Sequence, residues 1–362
     1  SEYIESVPGV FISNDNNYAQ DSRISIRGFG SRANFGIRGI KLIVDGVPET
    51  TPDGQSQIDN LNLEIIEKIE VIRGVGSSLY GNSSAGIIKI KTLQELQNSF
   101  ARIGFSLGSN QQNKSQFFLG QKYKKTSYTF LYSQTKSNGY RNNSGFKNNN
   151  LNINLFKKVN DKTNYGLSFN YVDSPYAIDP GGLTIEEVED NRKQARERNI
   201  IYDSKESIKH LKLSGSFEKK ISNKLTFSKY LFFSNRDFNG NIPVKKGGTI
   251  KLDRKYWGLG ASLLIKNKFN TQIGFDLGNQ KDLRKRYFNN EGEIGALVLE
   301  QNEKFINYGI FLVSSLKLNS FIINPGIRLD KNTISVDDRF LADGNSSDKI
   351  NLNSLNPSLG IN

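Results

Sequence analysis

From Phe100 onward, apolar and polar side chains alternate with a period of two, segment after segment. Ile103, Phe105 and Leu107 alternate with Arg102, Gly104, Ser106 and Gly108. Tyr128, Phe130 and Tyr132 alternate with Ser127, Thr129 and Ser133, and Tyr165, Leu167, Phe169 and Tyr171 with Gly166, Ser168 and Asn170. The rhythm returns at Trp257, Leu259, Ala261, Leu263 and Ile265, and again at Phe321, Ile323, Pro325, Ile327 and Leu329. Neighbouring side chains of a strand point to opposite faces, so each segment is a strand with one apolar and one polar face. About a dozen such strands follow one another before Asn362.

The connections sort by parity. Every second one is short, at 124–125, 160–162, 221–223, 267–268 and 318–319, and the alternate ones are long, at 136–149, 174–207, 237–253, 281–302 and 331–353. A water-soluble sandwich has no reason to sort its loops this way. A transmembrane barrel does, with tight turns on the inner side and long loops outside. Lipid demands an apolar outer face, whereas a wet lumen tolerates Gly, Ser, Asn and Lys. Tyr123, Tyr128, Tyr165 and Tyr171 stand near strand ends, where interfacial aromatic girdles lie. The longest outer connection carries a capping-box pattern at Thr184 to Glu187 and predicts a short helix there, as a lid or as plain surface.

Composition removes other classes. No run approaches the ~18 uninterrupted apolar residues of a spanning helix. With no Cys, no Met and the single His210, direct binding of a soft or borderline metal is not expected, and His210 reads as an ordinary interfacial residue at a strand start. Gly28-Phe29-Gly30 is too short for a phosphate-binding loop, and one His cannot complete a nucleophile, base and orienting group, so no enzyme and no cofactor is expected. Charge is uneven: residues 1–98 hold 9 Lys+Arg against 12 Asp+Glu, and the remainder holds 40 against 24. Such a basic second part fits either anionic partners or solvated loops.

Residues 1–98 follow a different grammar, a small glycine-rich α+β unit. Ile24 and Ile26 alternate with polar residues, and residues 41–45 read as a strand closed by the turn Asp45-Gly46-Val47-Pro48. A short helical pattern at 63–68 precedes a strand at 69–73, and another strand follows at 87–90. Four motifs here, Ser25-Ile26-Arg27-Gly28, Leu42-Ile43-Val44-Asp45-Gly46-Val47-Pro48, Ile69-Glu70-Val71-Ile72-Arg73-Gly74, and Ser78-Leu79-Tyr80-Gly81-Asn82 followed by residues 85–92, closely resemble the plug of TonB-dependent outer-membrane receptors. The fold implied is mostly β: an α+β plug over 1–98, then the first dozen or so strands (99–362) of an antiparallel transmembrane β-barrel that has twenty-two in the family. Since the chain opens at Ser1 inside the plug and stops about half-way round, the expectation is an internal fragment, without the segment that contacts TonB and without the second half of the barrel.

The resemblance also implies roles. In the family, the arginines of the Arg-Gly and strand motifs lock the plug to barrel carboxylates; they carry over to Arg27 and Arg73, with Glu70 beside them, the alternative being local pairs with Glu70 or Asp45. The loops holding Arg32, Asn34 and Phe35, and Thr50, Asp53 and Gln55, are expected to form the apical surface that meets ligand, with Arg38 joining either set. A guanidinium fork suits carboxylate or phosphate oxygens; the alternative is a glycine-shaped loop whose arginines are solvated or bonded to the wall. The function implied is capture and active import of a bulky nutrient, foremost a ferric siderophore or other ferric chelate, with cobalamin, another metal complex or an oligosaccharide as alternatives. The implied partners are TonB, outer-membrane lipid and lipopolysaccharide, and no nucleic acid. A passive porin or adhesin predicts no plug, and a soluble basic β protein does not explain the sorting of loops.

Overall fold

A computed structural model describes residues 7–361, apart from 14–16, 21, 32, 34–35, 74–76, 82 and 319–320. The N-terminal unit contains β1 (Val10–Ser13), β2 (Arg23–Ile26), β3 (Ile37–Arg38), β4 (Ile40–Val44), β5 (Val47–Pro48), β6 (Gln55–Ser56), β7 (Ile66–Arg73), α1 (Ser77–Tyr80) and β8 (Gly86–Thr92). Its central sheet runs β5-β4-β8-β7, with β4 and β8 parallel and the other pairs antiparallel. The β1–β2 hairpin closes the core, so that Val10, Ile12, Ile24 and Ile26 meet Ile40, Leu42, Ile88 and Ile90. Asp45 and Gly46 both adopt positive φ (50° and 81°), as the tight turn between β4 and β5 requires. The Asp45 carboxylate then accepts from the Thr92 amide and hydroxyl at 2.9 and 2.5 Å, which ties that turn to the end of β8. The helical pattern at 63–68 is only a single 3-10 turn, Leu63–Ile65, capped by Asn62; from Ile66 the β-branched residues enter β7.

The rest is one antiparallel sheet: β9 (Phe100–Leu107), β10 (Asn113–Tyr123), β11 (Thr126–Ser137), β12 (Phe146–Asn160), β13 (Thr163–Ile178), β14 (Lys205–Ser222), β15 (Leu225–Asn241), β16 (Thr249–Ile265), β17 (Thr271–Asn290), β18 (Glu293–Val313), β19 (Leu316–Leu318), β20 (Phe321–Asp338) and β21 (Asp348–Ile361). Strands pair in chain order, and short β19 continues β18 along the same neighbour, β20. This sheet curves around the N-terminal unit as a wall, and its two faces are inside out by the standard of soluble proteins. Outward positions are apolar and exposed: Phe105, Leu213, Leu231, Phe275 and Ile310 are 79%, 52%, 62%, 47% and 60% accessible. Inward positions are polar and buried, among them Thr129, Asn152, Asn170, Ser234 and Gln280. A two-layer soluble body would pack those aromatic faces together. Here they stay exposed and touch neighbours on their own face, such as Tyr165 on Phe217, as a lipid-facing wall allows.

Parity holds on the short side, with turns at 124–125, 161–162, 223–224 and 266–270, while the expected turn at 318–319 falls partly outside the described residues. On the other side the expected loops shrink, because strands extend into them. The expected connection at 281–302 is no loop. It is the tip of a hairpin in which β17 and β18 stay paired up to the two-residue turn Glu291-Gly292. Its polar sequence suits a ribbon standing in water, which the alternation test reads as loop. β18 has 21 residues, whereas about 9–11 suffice to cross a bilayer, so roughly half of it projects beyond the membrane. The 179–204 connection carries α2 (Ile185–Asn191), opened by the Thr184/Glu187 capping box, and α3 (Glu197–Ile201).

Replacing Ile310 by Arg in the full-length protein is expected to cost about 2–4 kcal/mol of folding free energy in lipid vesicles. The same change at an exposed position of a soluble sheet would be nearly neutral, and denaturant titration in vesicles distinguishes the two.

Candidate functional site

The segment from Glu49 to Asn62 carries the buried ion pairs between the N-terminal unit and the wall. Glu49 reaches Lys212 of β14 at 2.5 Å, both side chains being 6% exposed. Lys212 also donates to the Pro48 carbonyl at 2.7 Å, and Asn60 donates to the other Glu49 oxygen at 2.5 Å. Asp59 takes a two-point contact from Arg236 of β15 at 2.6 and 3.4 Å. Arg236 in turn donates to His210 Nδ1 at 3.2 Å, which requires Nδ1 to be the acceptor; Nε2 therefore carries the proton and donates to Ser234 Oγ at 2.8 Å. Asn150 and Asn170 of the wall donate to the Asn60 carbonyl at 3.3 and 3.0 Å, and Asn62 donates to Ser133 at 2.9 Å.

A third centre lies at Asp53 and Gln55. Arg254 of β16 is gripped by Asp282 at 2.7–3.1 Å, donates to Gln55 Oε1 at 3.1 Å and lies 3.6 Å from Asp53. Arg328 of β20, 1% exposed, is held by Asp276 at 2.8 and 3.0 Å and by Asp330 at 2.8 Å. Its guanidinium lies where a Cβ on Gly81 would sit 2.8 Å away, so the glycine after α1 is what lets the wall approach this closely. Ser78 and Ser358 complete that contact at 2.5 Å. Apolar contacts are few by comparison, chiefly Ile65 on Phe118 and Leu131, and Val47 on Phe232 and Tyr256.

In these three pairs the carboxylate stands on the small unit and the cation on the wall, the opposite polarity to the one expected for Arg27 and Arg73. Arg27 and Arg73 are exposed, and Arg73 donates to the Pro8 carbonyl at 2.8 Å. Glu70 pairs with Lys68 at 2.5 Å on its own strand. Among the described residues no wall carboxylate meets any of the three. Thr50 is buried inside the unit, where its hydroxyl accepts from the Leu42 amide and meets Ser56. Asp53 and Gln55 contact the wall, and Arg38, half exposed, lies 3.6 Å from Asp53. Arg32, Asn34 and Phe35 lie outside the described residues. His210 is inside β14 and 3% exposed, not at a strand start; its even-numbered position on β14 turns it to the lumen. Lys212, Arg236, Arg254 and Arg328 escaped notice, although each stands at a polar-face position of an alternating strand, which was the available signal.

Two open spaces flank this interface. One, of about 730 Å³, lies toward the short turns, between the β4–β8 face (Lys41, Lys89) and Ser216, Tyr230 and Gly260 of the wall. The other, also about 730 Å³, lies on the long-loop side and is bounded by Tyr18, Arg23, Gln112, Tyr140 and Arg141. There Asp179 accepts from Asn17 and Gln20 at 2.7 and 3.2 Å, Tyr18 stacks on Phe146 at 3.6 Å, and Arg141 staples two outer connections through the carbonyls of Pro180, Gly181 and Gln194.

Removing one member of a buried pair leaves the other charge uncompensated. Lys212→Met is expected to weaken attachment of the small unit by about 3–5 kcal/mol, and adding Glu49→Gln to recover a large part of it, read by chemical unfolding of the full-length protein. Burial is the largest single influence and raises the carboxyls of Asp53 and Asp59, but Arg254, Thr51 and Arg38 together at Asp53, and the charge and hydrogen bond of Arg236 at Asp59, hold both below the usual carboxylate range. A depressed pKa gives stability that is present above the unfolded-state value of about 4 and is lost as pH falls through the folded value. The contribution of Asp53 and Asp59 to the attachment is therefore expected to be unchanged between pH 7 and pH 5 and to be lost only in stronger acid, as protease access to residues 49–62 would report.

Comparisons with known proteins agree with this geometry. Residues 1–88 match the TonB-dependent receptor plug domain, and residues 123–362 match the TonB-dependent receptor-like β-barrel. The vitamin B12 transporter BtuB of Vibrio vulnificus is 23% identical over 91% of this chain and 51% of its own length. The crystal structure of the unliganded ferric citrate transporter FecA superposes with a TM-score of 0.84 at 17% identity, over 99% of this chain and 57% of that one. The ferric yersiniabactin uptake receptor FyuA from Yersinia pestis gives a TM-score of 0.75 at 18% identity, over 99% and 58%. This chain spans about half the length of that curated relative. An occluding α+β unit held by ion pairs inside a lipid-facing wall, matched on both parts, makes this chain a member of the TonB-dependent receptor family, whose members are β-barrel proteins of the Gram-negative outer membrane.

Proposed function

We propose that this protein actively imports a bulky nutrient: ligand is captured on the long-loop side, and TonB, engaging a segment of the full-length receptor, moves the plug so that ligand passes. The observation that carries this reading is the plug itself, held across the lumen by Glu49–Lys212, Asp59–Arg236 and Asp53–Arg254. A passive pore has no use for such an obstruction. A mobile one is best held by charged and amide contacts, which water can replace as they open, and these outnumber the apolar contacts here.

The favoured cargo is a ferric siderophore or other ferric chelate. One histidine, with no Cys or Met, offers bare metal little, so iron arrives wrapped in its own ligands. The outer space of about 730 Å³ is of a size that takes a compact chelate. Arg32, Asn34, Phe35 and Arg38 are assigned to the apical surface that meets it. Arg27 and Arg73, exposed on the plug, are assigned to locking against carboxylates of the full barrel. Cobalamin is the second reading, favoured by the relationship to BtuB along 91% of this chain.

The test is uptake by the full-length receptor in iron-starved cells, with labelled ferric citrate, a labelled ferric siderophore and labelled cobalamin offered separately. Uptake of a ferric chelate that vanishes on deletion of TonB is expected, with cobalamin excluded. Replacing Arg32 and Arg38 together by Ala is expected to weaken binding at least tenfold, the scale of lost charge-assisted hydrogen bonds. Unchanged affinity removes them from the site, and uptake independent of TonB removes the active mechanism.

A further inference from the structure

The cavity toward the short turns takes no part in capture on the long-loop side. It is a space of about 730 Å³ between one face of the plug sheet and the wall. Ile40, Leu42, Ile88 and Ile90 point into the plug core, so Lys41, Ile43 and Lys89, which alternate with them on the parallel strands β4 and β8, face the cavity. Lys89 stands opposite Ile43, which puts Lys41 and Lys89 on diagonal positions about 8 Å apart, at ~4.8 Å between strands and ~3.3 Å per residue. The wall lines the other side with hydroxyls, among them Ser216 and Tyr230. Gly260 keeps that side open, since a Cβ there would lie 2.6 Å from the Tyr230 ring.

Charges around the cavity do not balance. Asp45 is engaged by Thr92, Asp276 by Arg328 at 2.8 Å, and Lys91 by Glu67 at 2.8 Å. Glu70 stands opposite Lys89 on β7 but turns to Lys68 at 2.5 Å. At the exposed rim Glu218 and Lys229 offset each other. Two ammonium groups are left over. Among the described residues Lys41 has neither a hydrogen bond nor a carboxylate in ion-pair reach, and Lys89 has only the Tyr80 ring, 5.0 Å from its nitrogen. Burial pushes the Lys41 ammonium below the ordinary lysine value, and Asp276, already held by Arg328, offsets only part of this. A desolvated cation without a counter-ion is costly, and an anion entering the cavity removes that cost.

We propose that this cavity is a second binding site, for a small polycarboxylate anion, in which Lys41 and Lys89 of the plug each take a carboxylate and Ser216 and Tyr230 of the wall donate to it. Two separated point charges suit an anion whose charge is spread over several carboxylates better than a compact phosphate. The site deepens the import reading, on which it rests: the class of cargo is a ferric chelate that carries free carboxylates, and the cavity is the station it reaches after the outer space.

The chain holds no cysteine, so one placed at Ser228, on the cavity wall, reports occupancy of this space and not of the outer one. The full-length receptor carrying S228C, with any cysteine outside this chain replaced by Ser, is alkylated in mild detergent while citrate is titrated. Citrate is expected to slow the alkylation, with an affinity about tenfold weaker in K41Q/K89Q and within about threefold of the parent in K41R/K89R, the scale of lost charge-assisted hydrogen bonds. No protection by citrate, or less than about a threefold loss in the Gln variant, overturns the site. The trimethyl ester of citrate, neutral and similar in shape, is expected to leave the alkylation unchanged. Equal protection by the ester overturns the assignment to an anion, and equal protection by inorganic phosphate overturns the assignment to a polycarboxylate. If the double Gln variant does not reach the membrane, K89Q alone is titrated; at least about a threefold loss supports the site and an unchanged affinity removes it. Uptake of labelled ferric citrate keeps the two readings apart. Lysine-dependent protection in a receptor that takes up no ferric citrate supports the site and overturns the class of cargo, whereas uptake without protection at position 228 overturns the site and leaves the import reading standing.

Discussion

A bilayer core supplies no hydrogen bonds, and that single constraint organises this molecule. Each backbone polar group in the wall must be satisfied by a neighbouring strand, so the strands pair in chain order over long registers. Each outward side chain must tolerate hydrocarbon, so residues such as Phe105 and Ile310 are exposed that a soluble protein would bury. The displaced polar residues have one place left, the lumen. Asn150, Asn152, Asn170, Lys212 and Arg236 collect there and are buried only because another part of the chain fills the space.

That filling part inherits the electrostatics of the lumen. Cations on β14, β15 and β16 present an inner surface that the compact unit meets with carboxylates and amides, supplied by Glu49, Asp53, Asp59 and Gln55. The apolar core of the plug is separate, built from Ile24, Ile26, Ile40, Leu42 and Ile88, so the unit holds itself together by different forces from those that hold it in place.

Along the outer wall, the strands outlast the membrane. The β17–β18 ribbon stays paired up to Glu291-Gly292, while β13 and β14 are joined by the two helical segments of 179–204. Arg141, in the connection at 138–145, binds that connection to 179–204, and Asp179 binds the latter to Asn17 and Gln20 of the plug. The space on the long-loop side is therefore bounded jointly by plug and barrel.

Much of this was legible beforehand. Alternation at Tyr128 to Ser133 or Trp257 to Ile265 is local, and lipid turns that local pattern directly into an outward and an inward face, so the wall followed from the sequence by itself. The capping box at Thr184 and the Asp45-Gly46 turn were legible for the same reason, each being decided by neighbours a few residues away. The contacts of the plug were not. Arg27, Arg73 and Glu70 have the look of anchoring residues, yet the described anchors are Glu49 with Lys212 and Asp59 with Arg236, partners more than 160 residues apart in the chain. His210 looked ordinary until Arg236 and Ser234 came to either side of it. Strand periodicity states which way a side chain faces; only the curvature of the closed-in wall around the plug decides what it meets, because that distance is set by the packing of the whole and not by any stretch of sequence.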